Sequence, residues 1–353
     1  MAWKAIVHRD GLISPTQLSR FGSASPKGSL VVETRLAATQ KPQTILALSL
    51  SHPELATLSL KVVPGGGIVL VVARRGAVYH ATVSLATEAR ADFLRITYSW
   101  DVPAARGRLA IEWPERRITR WAHTGPAVPI AASDIQRLGG FFDLKDAHPD
   151  LIFAALSDEI EPLGPMPSLA AGTPLMSVCG PLPVKDLRRG ALLAATDGED
   201  AQMVLSQVSR TVPAFGSFAP IRLRAPYFGL RRDIVVAPEQ RLLIGGSEVE
   251  YTYGCEHVLV PARHLVNGTA AVWDACGPLA HYVHVVLPEN APVVAAGASL
   301  ESLYIGRIRR HEDALAQSLL ADVDKAFLPE HAPGPYRTLS PFEAITLAEM
   351  RAA

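Results

Sequence analysis

Residues 228–268 read FGLRRDIVVAPEQRLLIGGSEVEYTYGCEHVLVPARHLVNG. The segment contains three short apolar runs, at residues 232–237, 241–244 and 257–262. Pro238 follows the first run, and Gly245 and Gly246 follow the second. Short apolar runs of this kind, bounded by Pro and Gly, are typical of strands joined by tight turns. The stretch therefore predicts consecutive β-strands.

The residues upstream fit the same kind of fold. Residues 168–176, SLAAGTPLM, place small residues and Gly-Thr before an apolar strand, and residues 180–190, GPLPVKDLRRG, add a turn and a loop. In this order, residues 168–304 resemble the Hint domain, the autoprocessing fold shared by Hedgehog proteins and inteins, in a branch common in bacterial multidomain proteins. The best-matching segment is VLVPARHLVNG at residues 258–268. The resemblance implies a Hint-type β-fold over residues 168–306.

The resemblance also implies a reaction. In the family, the first residue of the domain attacks the preceding peptide bond and shifts the acyl group from nitrogen to its own side chain. Here Ser168 takes that position, so the attacked bond would be Pro167–Ser168 and the product an ester. The family's usual Cys is partly ionised at neutral pH, whereas a serine hydroxyl needs a positioned base. The substitution weakens the site without abolishing it.

Two further positions are implied by the resemblance. The family has Thr-x-x-His or Ser-Pro-x-His where this chain has Ala237-Pro238-Glu239-Gln240, so Gln240 replaces a histidine that protonates the departing nitrogen. A Gln amide forms hydrogen bonds but does not exchange a proton near neutral pH. His284, in the closing part of the domain, is the third positional equivalent, with a structural hydrogen bond to the backbone as the alternative. The resemblance therefore implies a degenerate active site.

The N-terminal half has a different pattern. Apolar and polar residues alternate with period two at residues 29–36, 43–50, 57–63, 68–73, 77–84, 93–100 and 108–113. This spacing predicts an antiparallel β-sandwich over residues 1–160, and its order of elements resembles a laminin-G or concanavalin-type jelly roll. The pattern near residues 136–143 and 151–156 fits either a short helix or a last strand. Three prolines at residues 162–167 predict a linker over residues 161–167.

Aromatic residues of the sandwich are candidates for a binding site. Trp100, Trp113, Trp121 and His123 could form a platform on which a glycan stacks. The alternative is that these rings pack in the core, where large aromatic side chains bury the most area. The second functional hypothesis is accordingly a non-catalytic binding or structural protein whose sandwich recognises a glycan or protein surface.

Composition excludes several other classes. Lys plus Arg and Asp plus Glu number 34 each, so no net charge favours nucleic acid. The longest apolar run, residues 68–73, is too short to cross a membrane, and no cleavable signal is visible at the N-terminus. The sequence predicts a soluble protein, either cytoplasmic or exported without such a signal.

The remaining candidates are minor. Cys179, Cys255 and Cys276 are too few for a disulfide framework, and their spacing with His257 and His264 matches no familiar metal site, so neither a metal nor a cofactor is expected. Residues 307–353 are predicted to be a helical tail. In it, residues 312–327 have apolar side chains at helical spacing, and residues 340–350 begin with Ser-Pro, a helix-start signal.

Overall fold

The structure is a computed structural model of the 353-residue chain. It describes residues 2–8, 11–13, 24–35, 41–51, 55–64, 67–84, 93–125, 127–139, 150–194, 201–275 and 277–352. The chain divides into two compact units, Met1–Leu163 and Gly164–Ala353.

Antiparallel strands make up most of the first unit. They are β1 (Trp3–His8), β2 (Gly11–Ile13), β3 (Lys27–Arg35), β4 (Gln43–Leu50), β5 (Ala56–Val63), β6 (Gly67–Arg74), β7 (Ala77–Ser84), β8 (Phe93–Asp101), β9 (Arg106–Trp113), β10 (Ile118–Thr124) and β11 (Leu151–Ser157), with one helix among the described residues, α1 (Ala132–Gly139). The described strands form two sheets. Sheet A has the order β10-β9-β8-β3-β11-β1-β2, and sheet B has the order β4-β5-β6-β7.

The two sheets pack face to face around one apolar core. Alternate residues of β3, β8 and β9, such as Leu30, Ile96 and Leu109, meet alternate residues of β4 to β6, such as Leu48 and Leu70. Successive side chains on a strand point to opposite faces, so the period of two in the sequence supplies this apolar face. The result is the predicted antiparallel β-sandwich.

One glycine marks a close approach inside this sandwich. A Cβ atom at Gly28 would lie 2.4 Å from Cζ2 of Trp100 and 2.7 Å from the carbonyl oxygen of Ser157. Cβ atoms do not lie this close to nonbonded heavy atoms in proteins, so a side chain at position 28 would displace the indole ring or the neighbouring strand. The missing side chain of Gly28 therefore makes room for Trp100.

The predicted strands of the first unit agree with β3 to β9 to within two residues at each described end. Near the end of the unit the sequence fitted either a short helix or a last strand, and the structure contains both. The helix α1 covers residues 132–139, and the strand β11 covers residues 151–157. Sequence reasoning missed β1, β2 and β10. The first two lie at the N-terminus, in short segments that are bounded by residues outside the described part of the chain.

The second unit is also mainly β. Its strands are β12 (Leu169–Ala170), β13 (Pro174–Ser177), β14 (Gly180–Pro183), β15 (Leu192–Leu193), β16 (Gln202–Met203), β17 (Ser206–Pro213), β18 (Ile221–Leu223), β19 (Ile234–Val236), β20 (Arg241–Gly245), β21 (His257–Pro261), β22 (Ala271–Trp273), β23 (Leu279–Val286), β24 (Pro292–Ala295), β25 (Ala298–Glu301) and β26 (Arg337–Thr338). Its helices, within the described residues, are α2 (Ser247–Tyr253), α3 (Glu312–Ala316) and α4 (Pro341–Ala352).

Two sheets organise these strands. Sheet C has the order β17-β23-β12-β19-β18-β22, and sheet D runs β16-β15-β13-β24-β25-β20-β21-β26, with β14 paired to β13. Apolar residues of both sheets, including Leu169, Val236, Leu242, Val283 and Leu300, form one core. The three runs predicted from residues 228–268 correspond to β19, β20 and β21, which confirms the three strands, but the helix α2 lies between β20 and β21, where the sequence predicted a tight turn.

The C-terminal region differs from the prediction in one helix. Residues 312–327 were expected to form a single amphipathic helix, but α3 ends at Ala316 and only a 3₁₀ turn, Lys325–Phe327, follows. The Ser318 hydroxyl donates to the carbonyl oxygen of Leu315 and accepts from the amide of Leu320, at 2.8 and 3.1 Å. Side chains that bond the nearby backbone in this way compete with helical hydrogen bonds, and here they end the helix.

The last helix agrees with the prediction. The Ser340 amide donates to a carboxylate oxygen of Glu343 at 2.8 Å, and the Glu343 amide donates back to the Ser340 hydroxyl at 3.5 Å. This reciprocal pair is a capping box, and it starts α4 at Pro341. Within the described residues, no helix has both the length and the apolar character that crossing a membrane requires.

Candidate functional site: Ser168, Gln240 and His284

Ser168 lies at the start of β12, between two neighbouring strands. Leu169 pairs with Val236 of β19 on one side and with Val283 of β23 on the other. The Ala237 amide donates to the Ser168 carbonyl oxygen at 2.7 Å. Continuing the antiparallel register by one residue sets Ser168 opposite Ala237 on one side and His284 on the other. The fold therefore brings together three segments that lie far apart in the sequence.

Gln240 reaches the same place from the turn between β19 and β20. Its backbone amide donates to the Ala237 carbonyl oxygen at 3.0 Å, and this bond closes the turn. The Ser168 hydroxyl donates to Oε1 of Gln240 at 2.5 Å. Both side chains are buried, with 9% of Ser168 and 3% of Gln240 exposed. The two positions implied by the Hint resemblance are thus in direct contact.

The amide nitrogen of Gln240 is also fully used. Nε2 donates to the carbonyl oxygens of Arg241 and Glu301, at 2.9 and 3.0 Å. A Gln side chain has two N–H donors, and these two bonds account for both. No donor is left for a departing amide nitrogen at Ser168.

The residues around Gln240 do not supply the hydroxyl and imidazole groups that the Hint resemblance implies for this turn. Ala237, where the family has Thr or Ser, has a methyl side chain that cannot form a hydrogen bond. Glu239 forms an ion pair with Arg263, so its carboxylate is directed toward that guanidinium. Glu239 is therefore not positioned to take the role of the histidine that the resemblance implies.

His284 lies on β23 and is 1% exposed. Its Nδ1 accepts a hydrogen bond from the Val285 amide at 3.0 Å. When Nδ1 of a neutral imidazole is the acceptor, Nε2 carries the hydrogen. In this state Nε2 is a donor and does not act as a base toward Ser168. The structural hydrogen bond to the backbone, which was the alternative for His284, is present.

Sequence reasoning missed a buried polar group beside the site. Glu301, at the end of β25, is 6% exposed, and its Oε1 lies 3.7 Å from Nη1 of Arg241. Asn290 donates from Nδ2 to the same Glu301 oxygen at 3.4 Å, and the Ser302 hydroxyl donates to Oδ1 of Asn290 at 3.4 Å. The backbone carbonyl oxygen of Glu301 accepts a hydrogen bond from Nε2 of Gln240. The contacts of the Glu301 side chain therefore help to hold that acceptor in place. An acidic residue that ends an otherwise apolar strand is the one signal of it in the sequence.

Among the described residues, the other cysteines and histidines are not grouped as metal ligands. No group of three or more His, Cys, Asp or Glu side chains is arranged to hold a metal in the described part of the chain, which does not include Cys276. Arg263 donates from Nε to Nε2 of His264 at 3.1 Å. Burial, and then the charge of Arg263, lower the pKa of His264 to about 4. His264 is therefore neutral at physiological pH and serves as a hydrogen-bond acceptor.

The predicted aromatic platform of the first unit is not formed. Trp100 is 1% exposed and faces the core, where Nε1 donates to the Ser25 carbonyl oxygen at 2.9 Å. Trp113 packs half-buried against the same core. Trp121 and His123 pair with Ala110 and Arg108, whose side chains lie on the opposite face of sheet A. The prediction that groups the four residues is wrong, because the alternation of side chains divides them between two faces.

The face that carries Trp121 and His123 is mostly polar and mostly buried. Ser29 and Ser99 form a row with Arg108 across three strands, and the two serine hydroxyls lie 2.9 Å apart. Residues 159–161 run along this row. The Glu161 amide donates to the Ser29 hydroxyl at 2.8 Å, and Nη2 of Arg108 donates to the Glu161 carbonyl oxygen at 2.7 Å. Trp121 is half-buried and His123 is exposed at the edge of this face.

Comparison with models of known protein families gives a match in the second unit. Residues 167–307 match the family model of the Hint domain. No curated protein matches the chain.

Comparison with solved structures finds proteins whose sequences have low identity to this chain. The CBM40 of the Ruminococcus gnavus IT-sialidase, bound to alpha2,3 sialyllactose, is 12% identical over 39% of this chain and 77% of that chain, with a TM-score of 0.26. Sheep galectin-11 in complex with glycerol is 6% identical over 39% and 86% of the two chains, with a TM-score of 0.23. The SAP-like pentraxin from Limulus polyphemus is 14% identical over 44% and 76%, with a TM-score of 0.21. Scores this low support no functional argument.

Proposed function

We propose that this chain, in which residues 167–307 are a Hint domain, is a degenerate member of the family whose site has kept the contact between its two key positions and no longer cleaves the chain. The ancestral reaction would be self-cleavage at Pro167–Ser168 through an N-to-O acyl shift. In the protein as it stands the peptide bond persists, and the Hint domain remains joined to the β-sandwich. The hydrogen bond from Ser168 to Gln240 is the observation that supports this proposal.

The reaction needs two proton transfers. The hydroxyl oxygen of Ser168 must attack the Pro167 carbonyl carbon as its proton leaves, and the Ser168 nitrogen must gain a proton as the C–N bond breaks. The Ser168 hydroxyl donates to an amide oxygen, which accepts a hydrogen bond but not the proton itself. The amide nitrogen of Gln240 is committed to two carbonyl oxygens. Gln240 therefore supplies neither a base nor an acid.

Intact mass measurement tests this proposal. The purified chain, incubated for several days at neutral pH with or without hydroxylamine, is expected to retain its full mass. Hydroxylamine cleaves esters, so it would trap the acyl shift even where hydrolysis is slow. Ser168→Ala, which has no nucleophile, is the control for unrelated cleavage. Fragments that meet between Pro167 and Ser168 in the native chain, but not in the control, would overturn the proposal.

The first unit supports a second role, the binding of a glycan or protein ligand. Trp121 and His123 lie on the same face of the edge strand β10, and both are at least partly exposed. An indole ring on an edge stacks on the apolar face of a sugar, and an imidazole beside it bonds hydroxyl groups. On a glycan array, the full chain is expected to bind at least one glycan, and Trp121→Ala is expected to lose that binding. Unchanged binding by the variant, or no binding by either protein, would count against this role.

A further inference from the structure

Residues 164–167, which precede Ser168, belong to the second compact unit. Pro167 is buried and Met166 is half-buried. Pro165 and Pro167 have no backbone N–H group, so a regular ladder of strand hydrogen bonds cannot hold this segment. Its position on sheet C must therefore depend on side-chain contacts, and Met166, between the two prolines, makes such a contact.

The face of sheet C that receives this segment carries a row of three paired residues. Arg210 of β17 pairs with Tyr282 of β23, and Tyr282 pairs with Ala170 of β12. Directly paired residues share a face of the sheet, and so do residues two apart on one strand, so this is also the face of Ser168. Leu169, the residue between, belongs to the apolar core on the other side. Arg210 therefore lies on the same face as the candidate nucleophile, two strands away.

The guanidinium of Arg210 is built into this face. Its Cζ lies 5.7 Å from the ring centroid of Phe218, and only 8% of Arg210 is exposed. The Tyr282 hydroxyl donates to the Phe218 carbonyl oxygen at 2.9 Å, which ties Phe218 to the same row. Nη1 of Arg210 donates to Sδ of Met166 at 3.7 Å. A buried cation is costly unless acceptors and aromatic faces surround it, and Met166 supplies one acceptor from the upstream segment.

We propose that Arg210 and Phe218 form a subsite for the side chain two residues before Ser168, and that this subsite accepts a thioether or a carboxylate but rejects a cation. The role of the subsite rests on the proposed function, because position 166 is defined relative to the Pro167–Ser168 bond. Arg210 is a positioning residue. Through Met166 it holds the acyl side of that bond against sheet C.

The selectivity follows from the charge of Arg210. The sulfur of Met166 is a weak acceptor, so its contact with the guanidinium is modest. Glu carries its carboxylate at the same distance along the side chain, and it would form a charge-assisted pair with the guanidinium. Lys would bring an ammonium group next to a buried guanidinium, and like charges repel strongly where water is excluded. At position 166 the segment should therefore be held most firmly by Glu, then by Met, and least by Lys.

Hydrogen exchange of residues 164–170 in the full chain measures how firmly the segment is held. The Met166→Lys chain is expected to exchange there at least about tenfold faster than the Met166→Glu chain, with the native chain between them. Adding Arg210→Gln, which removes the charge and keeps a long polar side chain, should abolish this order. Arg222→Gln removes the same charge from β18 of the same sheet, where Arg222 pairs with Asp274, and should preserve the order.

The same samples contain their own controls. Amides of β20 and β21 show whether the second unit of each variant is folded. Equal exchange in the Met166→Glu and Met166→Lys chains, or an order that survives Arg210→Gln, would overturn the proposal. The intact mass of each sample shows separately whether a chain is cut at Pro167–Ser168, which bears on the proposed function and not on the subsite.

Oxidation by hydrogen peroxide tests the contact without any substitution. Met203 and Met350 are 44% and 41% exposed, whereas Met166 lies against Arg210. Thioether oxidation follows exposure of the sulfur, so Met166 is expected to become sulfoxide at least about threefold more slowly than the other two. Peptide mass spectrometry of the native chain gives the three rates. If Met166 is oxidised as fast as Met203, its sulfur is not held at Arg210 and the subsite is ruled out, even where a variant fails to fold.

Discussion

Replacing Ser168 with Cys and Gln240 with His in the same chain is expected to split it into two fragments, residues 1–167 and 168–353. The thiol supplies a nucleophile that is partly ionised at neutral pH, and the imidazole supplies a group that exchanges protons there. Position 240 already contacts position 168, because the Ser168 hydroxyl lies 2.5 Å from Oε1 of Gln240. General acid–base assistance alone is typically worth about 10² to 10⁴ in rate. The double variant should therefore be cleaved at least about 100 times faster than the native chain.

The single variants are expected to fall far short of the pair. Ser168→Cys alone has a better nucleophile but still faces an amide that cannot move a proton, and Gln240→His alone has a proton carrier but a weak nucleophile. Catalytic residues that act as a unit give strongly non-additive effects. Intact mass spectrometry over time, with and without a thiol, gives the rates of all three variants.

One control separates chemistry from accidental proteolysis. Ser168→Ala with Gln240→His keeps the new imidazole and removes the nucleophile, so it should remain intact. The new histidine also loses the two bonds that Gln240 makes to Arg241 and Glu301, so circular dichroism must show that each variant is folded. A folded double variant that stays intact would contradict the assignment of Ser168 and Gln240 to the nucleophile and proton-transfer positions.

Replacing Trp100 with Ala is expected to destabilise the first unit by about 3 to 5 kcal/mol, the usual cost of removing a buried large aromatic side chain. The indole of Trp100 is 1% exposed, and its ring centroid lies 5.8 Å from that of Tyr98. Its removal leaves a cavity in the sandwich core and the Ser25 carbonyl oxygen without its donor. A loss of this size is a large part of the stability of a typical domain. Thermal unfolding followed by calorimetry measures it.

Trp121→Ala is the matched control, because it removes the same side chain from a half-buried position at the sheet edge. Its effect on the unfolding temperature should be much smaller than that of Trp100→Ala. Equal losses in both variants, or a Trp100→Ala protein with native stability that has lost ligand binding instead, would contradict the separation of the two indoles between core and edge.

Much of the fold could be predicted from local sequence patterns. The strands β3 to β9 appear in the sequence as alternating apolar and polar residues, because a sheet with one face in a core requires that period. Ser340 and Pro341 predict the start of α4, because a capping residue and a proline in the first turn affect only the backbone within about four residues and can therefore be recognised from local sequence. The prediction of one helix over residues 312–327 was wrong because it rested on local apolar spacing alone. That spacing does not show the hydrogen bonds that the Ser318 side chain makes with the backbone.

The sequence by itself determined that this is an all-β chain with a sandwich before a Hint-like second half, and the resemblance to the Hint domain predicted Ser168 and Gln240 as altered positions. Only the tertiary structure decided that these two side chains, 72 residues apart in the chain, share a hydrogen bond, and that both donors of Gln240 are already used. It also decided that Trp100 is buried while Trp121 lies at an edge. Alternation along a strand fixes which residues share a face, but which face is covered depends on contacts between strands that are distant in sequence.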